Sequence, residues 1–543
     1  MNPPSIWQRQ FFPGVSLLRL FTWRMIRRYL FCLACLATLL AIFYAEENWR
    51  GHRDWENYKR TLEAQGDKID WLARIPPPVP DDQNFAMAPF FEDSLLRFRE
   101  EKGESPSYET NRINHLELKI FRQDSDHPNF RPYLGSWEAA TNTDLSAWQA
   151  YYQYRPAAPN STTVSKRTSR SRIANEFPVP ETPQTPAQDV LLALSAYQDT
   201  LRLLRDASLR PETRFPISYE GIYDPWLPHL TKLVFSASYL QLRAAAQLAN
   251  GQTNEAADSL RLIFYLERSV KSEPYRISYY VRLSLFKSSL NVLWEGLSQH
   301  AWTIGQLTEF QTNLTSDNLL ADYITVTKSD RDQGCHVIEQ LASSRLASPF
   351  ARAFIDSGEL KPGFIQQFMG KFYRKNFIRF APRGWFEQNE LNLVKQTQKT
   401  VAFIHPDQHR VDPELYHSEL RQFTPPQASP FCIFMGWLSF WSYRPTEDEA
   451  RGQGANDLGA VACALERYWL THGSYPERLG ELAPEYIAAM PQEIVAQGPL
   501  KYRRTDNGFY DLYSIGFSGK DVGVYRSGGL DYGNWVWTFL NSK

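Results

Sequence analysis

The pattern of apolar and charged positions is most distinctive near the amino terminus. Residues 29–45, YLFCLACLATLLAIFYA, carry no charge, and 17 uncharged residues lie at the short end of what spans a bilayer. All charged residues before this segment are arginines, and two glutamates follow it at once. Because positive charge flanks the cytoplasmic end of a membrane helix, the pattern predicts a single transmembrane helix with residues 1–28 in the cytoplasm.

The residues expected to contact lipid are the arginines at the edge of this segment and its large aliphatic side chains: Arg24, Arg27, Arg28, Leu33, Leu36, Leu39, Leu40 and Ile42. A cleaved signal peptide is the alternative. The long basic stretch before the segment disfavours it, as does Phe43 at the position where cleavage after Ala45 needs a small residue. We therefore expect an uncleaved, single-pass anchor in a bacterial inner membrane, with the bulk of the chain outside the cytoplasm.

Three segments of different composition follow the anchor. Residues 46–154 begin with a charged helical pattern and become mixed, and residues 155–188 are a basic, Pro/Ser/Thr-rich stretch typical of a solvated linker. In residues 189–445 apolar positions recur with the helical period, which predicts an irregular α-helical body. Asn250-Gly251 predicts a helix C-terminus, after which Thr253 or Asn254 is expected to cap the next helix.

Residues 361–385 combine six Lys/Arg with five phenylalanines and contain no acidic residue. An aromatic and basic stretch beyond a membrane anchor is typical of a helix that touches the bilayer surface. A core helix with a solvated basic face explains the same pattern equally well. Both interpretations stay open at this stage.

Composition excludes several classes of protein. The 543 residues carry 59 basic and 60 acidic side chains, a net charge of −1, so the protein as a whole is not a polyanion binder and no nucleic-acid partner is expected. Five cysteines without a regular spacing exclude a disulfide scaffold and a cysteine zinc module. None of the common phosphate-loop, nucleophile-elbow, zinc-protease or dinucleotide motifs occurs, which favours a non-enzymatic role.

One loop supports an alternative, enzymatic hypothesis. His405 and His409 are two imidazoles four residues apart, with further candidate ligands close by in Asp407, Asp412, Glu414 and His417. Imidazoles and carboxylates at short spacing can bind zinc or a harder cation. The alternative is therefore an envelope metal-dependent hydrolase that uses residues 405–417.

The last ninety residues predict a small α+β domain at 450–543. A helical stripe runs from Asp457 to Thr471 and stops at His472-Gly473. Ser474-Tyr475-Pro476 is expected to open a short helix. Leu500–Thr505 alternates like a strand, Asp506-Asn507-Gly508 predicts a hairpin turn, and Phe509–Ile515 is the returning strand.

This order resembles the globular domain of the major pseudopilin of type II secretion systems over residues 450–537. The most specific elements are Gly473, Tyr475 and Pro476, followed by the hairpin into DLYSIGFSGKD. A pseudopilin begins with a processed leader whose apolar helix runs directly into the globular domain. Here the anchor lies some 400 residues upstream, so filament assembly is not implied.

The resemblance implies a calcium site in the loop after the hairpin, where Asp521 and Asp531 are the candidate ligands. Because calcium prefers several anionic oxygens, a glycine-rich loop without metal is the alternative, and no other cofactor is expected. The expected fold is mainly α, with a transmembrane helix, a helical array and a pseudopilin-like domain. The expected function is a non-enzymatic scaffold whose partners are the lipid bilayer and secretion-system or other envelope proteins.

Overall fold

The computed structural model describes residues 23–92, 117–121, 131–154, 177–217, 219, 227–356, 364–422, 429–434, 447–495, 497–516, 521 and 534–539. The described part is mainly helical with small antiparallel sheets, as predicted. The pseudopilin-like fold stays a prediction.

The chain forms two compact units. The first unit consists of Met1–Lys68, Ile338–Asn392 and Pro426–Trp437. The second unit consists of Ile69–Val337, Leu393–Pro425 and Leu438–Lys543.

The described α-helices are α1 (Trp23–Ala64), α2 (Leu145–Gln153), α3 (Pro186–Leu194), α4 (Gln198–Ala207), α5 (Pro228–Ala249), α6 (Thr253–Ser269), α7 (Arg276–Leu297), α8 (Ile304–Thr315), α9 (Leu319–Ser344), α10 (Ala351–Asp356), α11 (Phe364–Phe380), α12 (Arg383–Val401), α13 (Pro413–Gln422) and α14 (Asp448–His472). The described strands are β1 (Ile404–His405), β2 (Arg410–Val411), β3 (Lys501–Arg504), β4 (Tyr510–Ser514) and β5 (Trp535–Thr538).

Several helix ends lie where local sequence chemistry places them. Gly251 follows α5 with a φ of +73°, and Gly473 follows α14 with a φ of +75°. Both positions favour glycine because a side chain is strained in the left-handed region. Thr303 caps the start of α8 and forms a reciprocal capping box with Gln306. The capping box satisfies two backbone N–H groups at the helix start.

Two local predictions are wrong. The residue that caps α6 is Gln252, and its side chain makes no capping hydrogen bond, so neither Thr253 nor Asn254 has that role. The short helix expected at Ser474-Tyr475-Pro476 begins later, as a 3-10 turn at Leu479–Leu482. Tyr475 is instead buried and its hydroxyl bonds Glu466 on α14, a tertiary contact that local sequence does not specify.

The second unit has one continuous apolar core. It joins helices α5, α6 and α7, which pack on one another, to α8 and α14, which form another close pair. The sheet order is β3-β4-β5, and both pairings are antiparallel. The hairpin of β3 and β4 confirms the strand prediction, with Gly508 at a φ of +83° in its turn. Strand β5 was not predicted, and Trp537 from it is fully buried in the same core.

The core of the first unit is aromatic. Phe434 lies 4.7 Å from Phe354, 5.7 Å from Phe377 and 5.5 Å from Phe386, measured between ring centroids. These rings hold α10, α11 and the start of α12 together. Arg345 donates to the carbonyls of Ile378 and Ala381, both at 3.2 Å, and so satisfies backbone acceptors at the end of α11.

Candidate membrane and partner sites

The amino-terminal part of α1 exposes its apolar side chains. Leu33, Leu36, Leu39, Leu40 and Ile42 are each at least 56 % exposed. No residue of the most apolar 18-residue window of α1 is buried. Within the described residues, α1 is the helix whose length and composition suffice to cross a membrane. A row of exposed leucines this long is unfavourable in water, because each exposed side chain forgoes about 1.5–3 kcal/mol of burial free energy.

The polar side chains at the start and in the middle of this apolar segment are compatible with a membrane. Arg24, Arg27 and Arg28 are exposed at its start. Thr38 lies in the middle of the segment, and its hydroxyl donates to the carbonyl of Ala34 at 2.8 Å. The Thr38 hydroxyl is thus satisfied within its own helix, which suits an apolar solvent.

Beyond Ala45 the same helix becomes a packed element of the first unit. Glu47, Gly51, Trp55 and Leu62 are buried. They recur at intervals of four residues up to Trp55 and then of seven, so they form one face of α1. The helix has no break between its exposed and its packed part. Because the helix is continuous, the placement of the apolar segment also fixes the placement of the packed face.

Helix α12 packs against this face through two glycines. A Cβ atom on Gly51 would lie 2.3 Å from the carbonyl oxygen of Gly384, and one on Gly384 would lie 2.1 Å from the carbonyl oxygen of Glu47. Both backbones approach too closely for any side chain. Asn48 accepts a hydrogen bond from the Gly384 N–H at 3.0 Å, and Trp385 donates its indole N–H to Glu47 at 2.8 Å.

This junction was not predicted from the sequence. The available indication was an isolated glycine in a helical pattern, which marks either a weak helix or a close backbone approach. Gly51 lies between Arg50 and His52, and Gly384 lies between Arg383 and Trp385. Neither position alone identifies the other, because they are more than 300 residues apart in sequence.

Residues His405 and His409 lie in a small hairpin. His405 ends β1, and His409 adopts a φ of +51° between a 3-10 turn and β2. His409 Nε2 lies 2.7 Å from an Asp457 carboxylate oxygen on α14. This hydrogen bond raises the pKa of His409, against the opposing effect of burial. Since Asp457 is remote in sequence, it was absent from the predicted ligand set.

The described residues contain no group of three or more His, Cys, Asp or Glu side chains placed to hold a metal. Of the two calcium candidates, Asp521 lies 3.5 Å from the Tyr513 hydroxyl, between oxygen atoms. Asp531 lies outside the described residues. The metal-site hypotheses for both regions stay predictions.

A surface groove of about 860 Å³ lies in the second unit between the end of α4, α6 and α8. Arg261 spans it, with Nε and Nη2 each 2.8 Å from a carboxylate oxygen of Glu309; this hydrogen bonding raises the pKa of Arg261. Leu209 is 83 % exposed at the groove. Arg205 also lines the groove, and among the described residues it has no carboxylate partner. The groove was not predicted from the sequence, because three separate helices form it.

Comparison of the chain with models of known families, with curated proteins and with solved structures finds no match.

Proposed function

We propose that the protein is a non-enzymatic scaffold anchored in a bacterial inner membrane, with its basic amino terminus in the cytoplasm and the residues after Ala45 on the opposite side. The observation that carries this proposal is the change of character along α1. One uninterrupted helix has unburied apolar side chains before Ala45 and a face buried in its own unit after it. The arginines before residue 29 supply the orientation.

The proposed partners are secretion-system or other envelope proteins. The resemblance of residues 450–537 to a pseudopilin domain supports this class of partner, although the resemblance extends over only part of the chain. The groove between α4, α6 and α8 offers a site for a partner segment that places an apolar side chain over Leu209 and an acidic one near Arg205. Exposed apolar groups framed by charge are typical of interaction surfaces.

Site-specific photo-crosslinking in cells tests this function. A photoreactive residue at Leu209 is expected to capture a discrete envelope protein, and Leu209→Asp is expected to reduce recovery of that protein with the affinity-purified full chain. The matched control places the photoreactive residue at Leu72, which is also exposed, at 59 %, but does not line the groove. Capture of cytosolic proteins alone, or equal capture from both positions, would contradict the proposal.

A further inference from the structure

We propose that residues 371–380 of α11 form an interfacial helix that binds anionic phospholipid headgroups. This inference rests on the proposed function in one respect, namely that α1 is inserted in a bilayer. It extends that function by assigning a second, lipid-selective contact to a helix that is remote from the anchor in sequence.

The end of α11 lies at the level where the apolar segment of α1 ends. The Tyr44 hydroxyl donates to the carbonyl oxygen of Phe380, and the Phe43 and Trp385 rings meet edge to face at 6.1 Å between centroids. Phe43 and Tyr44 are the last residues before Ala45 and the two glutamates. If the apolar segment spans the hydrocarbon, Phe380 therefore lies where hydrocarbon gives way to headgroups.

The last two turns of α11 cover a short distance along the helix axis. Phe372 precedes Phe380 by eight residues, which is about 12 Å along a helix axis. Whatever the inclination of α11, its last two turns stay within that distance of the Tyr44 level. An amphipathic helix in this zone sinks its apolar face about 5–10 Å into the boundary between headgroups and acyl chains.

The exposed face of α11 is divided into an aromatic and a basic stripe. Phe372, Tyr373 and Phe380 are exposed at 57 %, 48 % and 56 %, and at 100° per residue they fall within one 100° arc. Lys375 and Arg379 are exposed on the adjacent arc, whereas Phe377 and Ile378 on the opposite side are buried. The structure thus combines both earlier interpretations, because the helix has a core face and a separate basic aromatic face.

The two exposed cations are available for an external anion. Lys371 binds Asp356 at 2.9 Å, and Arg374 donates to the carbonyl of Ile355. By contrast, Lys375 and Arg379 make no ion pair with any described carboxylate, and residues 361–385 contain no acidic residue. The Arg379 guanidinium lies 5.2 Å from the Phe380 ring centroid, so it sits at the seam between the two stripes.

A lipid headgroup fits this face better than a soluble phosphate does. A phosphate ion in water satisfies the cations but leaves three large aromatic side chains exposed. An anionic phospholipid offers a phosphate to Lys375 and Arg379 and an apolar boundary to the neighbouring rings. We therefore assign the lipid as the occupant, and the experiment includes a soluble-phosphate arm.

Hydrogen exchange of the full chain in lipid nanodiscs tests the assignment. The amides of residues 371–380 are expected to exchange more slowly in discs with one third phosphatidylglycerol than in pure phosphatidylcholine, by up to roughly 30-fold if each cation contributes fully at the surface. Lys375→Gln/Arg379→Gln is expected to remove most of this lipid dependence. The matched control is Arg53→Gln/Arg60→Gln, which removes two exposed cations farther along α1.

The outcomes separate the inference from the proposed function. If the chain is retained in both kinds of disc but residues 371–380 exchange equally fast in both, headgroup binding is overturned while the anchor stands. Equal slowing by inorganic phosphate with pure phosphatidylcholine discs would assign the site to a soluble anion and overturn the lipid assignment. A chain that no disc retains would overturn the anchor, and the inference with it.

Discussion

Helices α1 and α14 differ in which side chains they expose and which they bury. The first half of α1 exposes leucine, isoleucine and phenylalanine side chains, whereas α14 buries carboxylates and amides. On α14, Glu466 accepts from the Tyr475 hydroxyl at 2.7 Å and lies 2.8 Å from His300 Nδ1, and Gln453 accepts from the Leu319 N–H at 2.8 Å. These buried polar groups have protein partners, as burial requires.

The comparison shows which environment each helix needs. The polar groups of α14 replace water with specific hydrogen bonds inside the second unit. Apart from Phe43, which meets Trp385 edge to face, the apolar groups of the first half of α1 are not buried by any described residue, and the proposed function gives them an apolar solvent instead. A bilayer provides one without any specific contact, which is why one sequence segment of low complexity is sufficient for the anchor.

Placing charge in the anchor is expected to have the largest effect. Leu36→Arg/Leu39→Arg adds two arginines near the centre of the apolar segment, each costing about 2.5–3.5 kcal/mol of insertion free energy. The variant is expected to move from the membrane pellet to the soluble or degraded fraction after alkaline carbonate extraction. The control variant Leu72→Arg/Leu209→Arg, at two exposed leucines outside the segment, should stay in the pellet. If the anchor variant also stays there, the first half of α1 does not need an apolar solvent.

Removing a buried carboxylate from α14 is expected to have a smaller effect on folding. Glu466→Leu leaves the Tyr475 hydroxyl without its acceptor, and an unsatisfied buried group costs roughly 1–3 kcal/mol. The midpoint of thermal unfolding of the detergent-solubilised chain should fall. Glu466→Gln, whose amide oxygen can still accept from Tyr475, should recover part of the loss. An unchanged midpoint in Glu466→Leu would show that this hydrogen bond is dispensable.

The His409–Asp457 contact is expected to give the smallest effect, because the histidine ring is more than one third exposed. The pKa of His409 is raised in the folded state, so its contribution to stability is complete below the unfolded pKa of about 6.5 and is lost as pH rises through the folded pKa. The unfolding midpoint of wild type should therefore exceed that of His409→Gln at pH 5.5 by more than at pH 8.5. A difference that grows with pH would contradict this sign.

Sequence reasoning succeeded where the determinant is local. The apolar run of α1, the glycines that end α5 and α14, and the turn of the β3–β4 hairpin each depend on a few adjacent residues. It failed where the determinant is a contact between residues that are distant in sequence: β5 pairs with β4, Gly51 packs on Gly384, and His409 pairs with Asp457. The aromatic and basic helix α11 falls between these cases, because its composition was clear but its two faces were assigned only by the packing.

A pair of fusions joined after Lys68 tests the central claim most directly, since the described part of α1 ends before this point at Ala64. One fusion carries alkaline phosphatase, which is active only after export, and the other carries a fluorescent protein that matures only in the cytoplasm. The account predicts high phosphatase activity and little fluorescence, both associated with the membrane fraction. Strong fluorescence without phosphatase activity would contradict it, because the residues after the anchor would then lie in the cytoplasm.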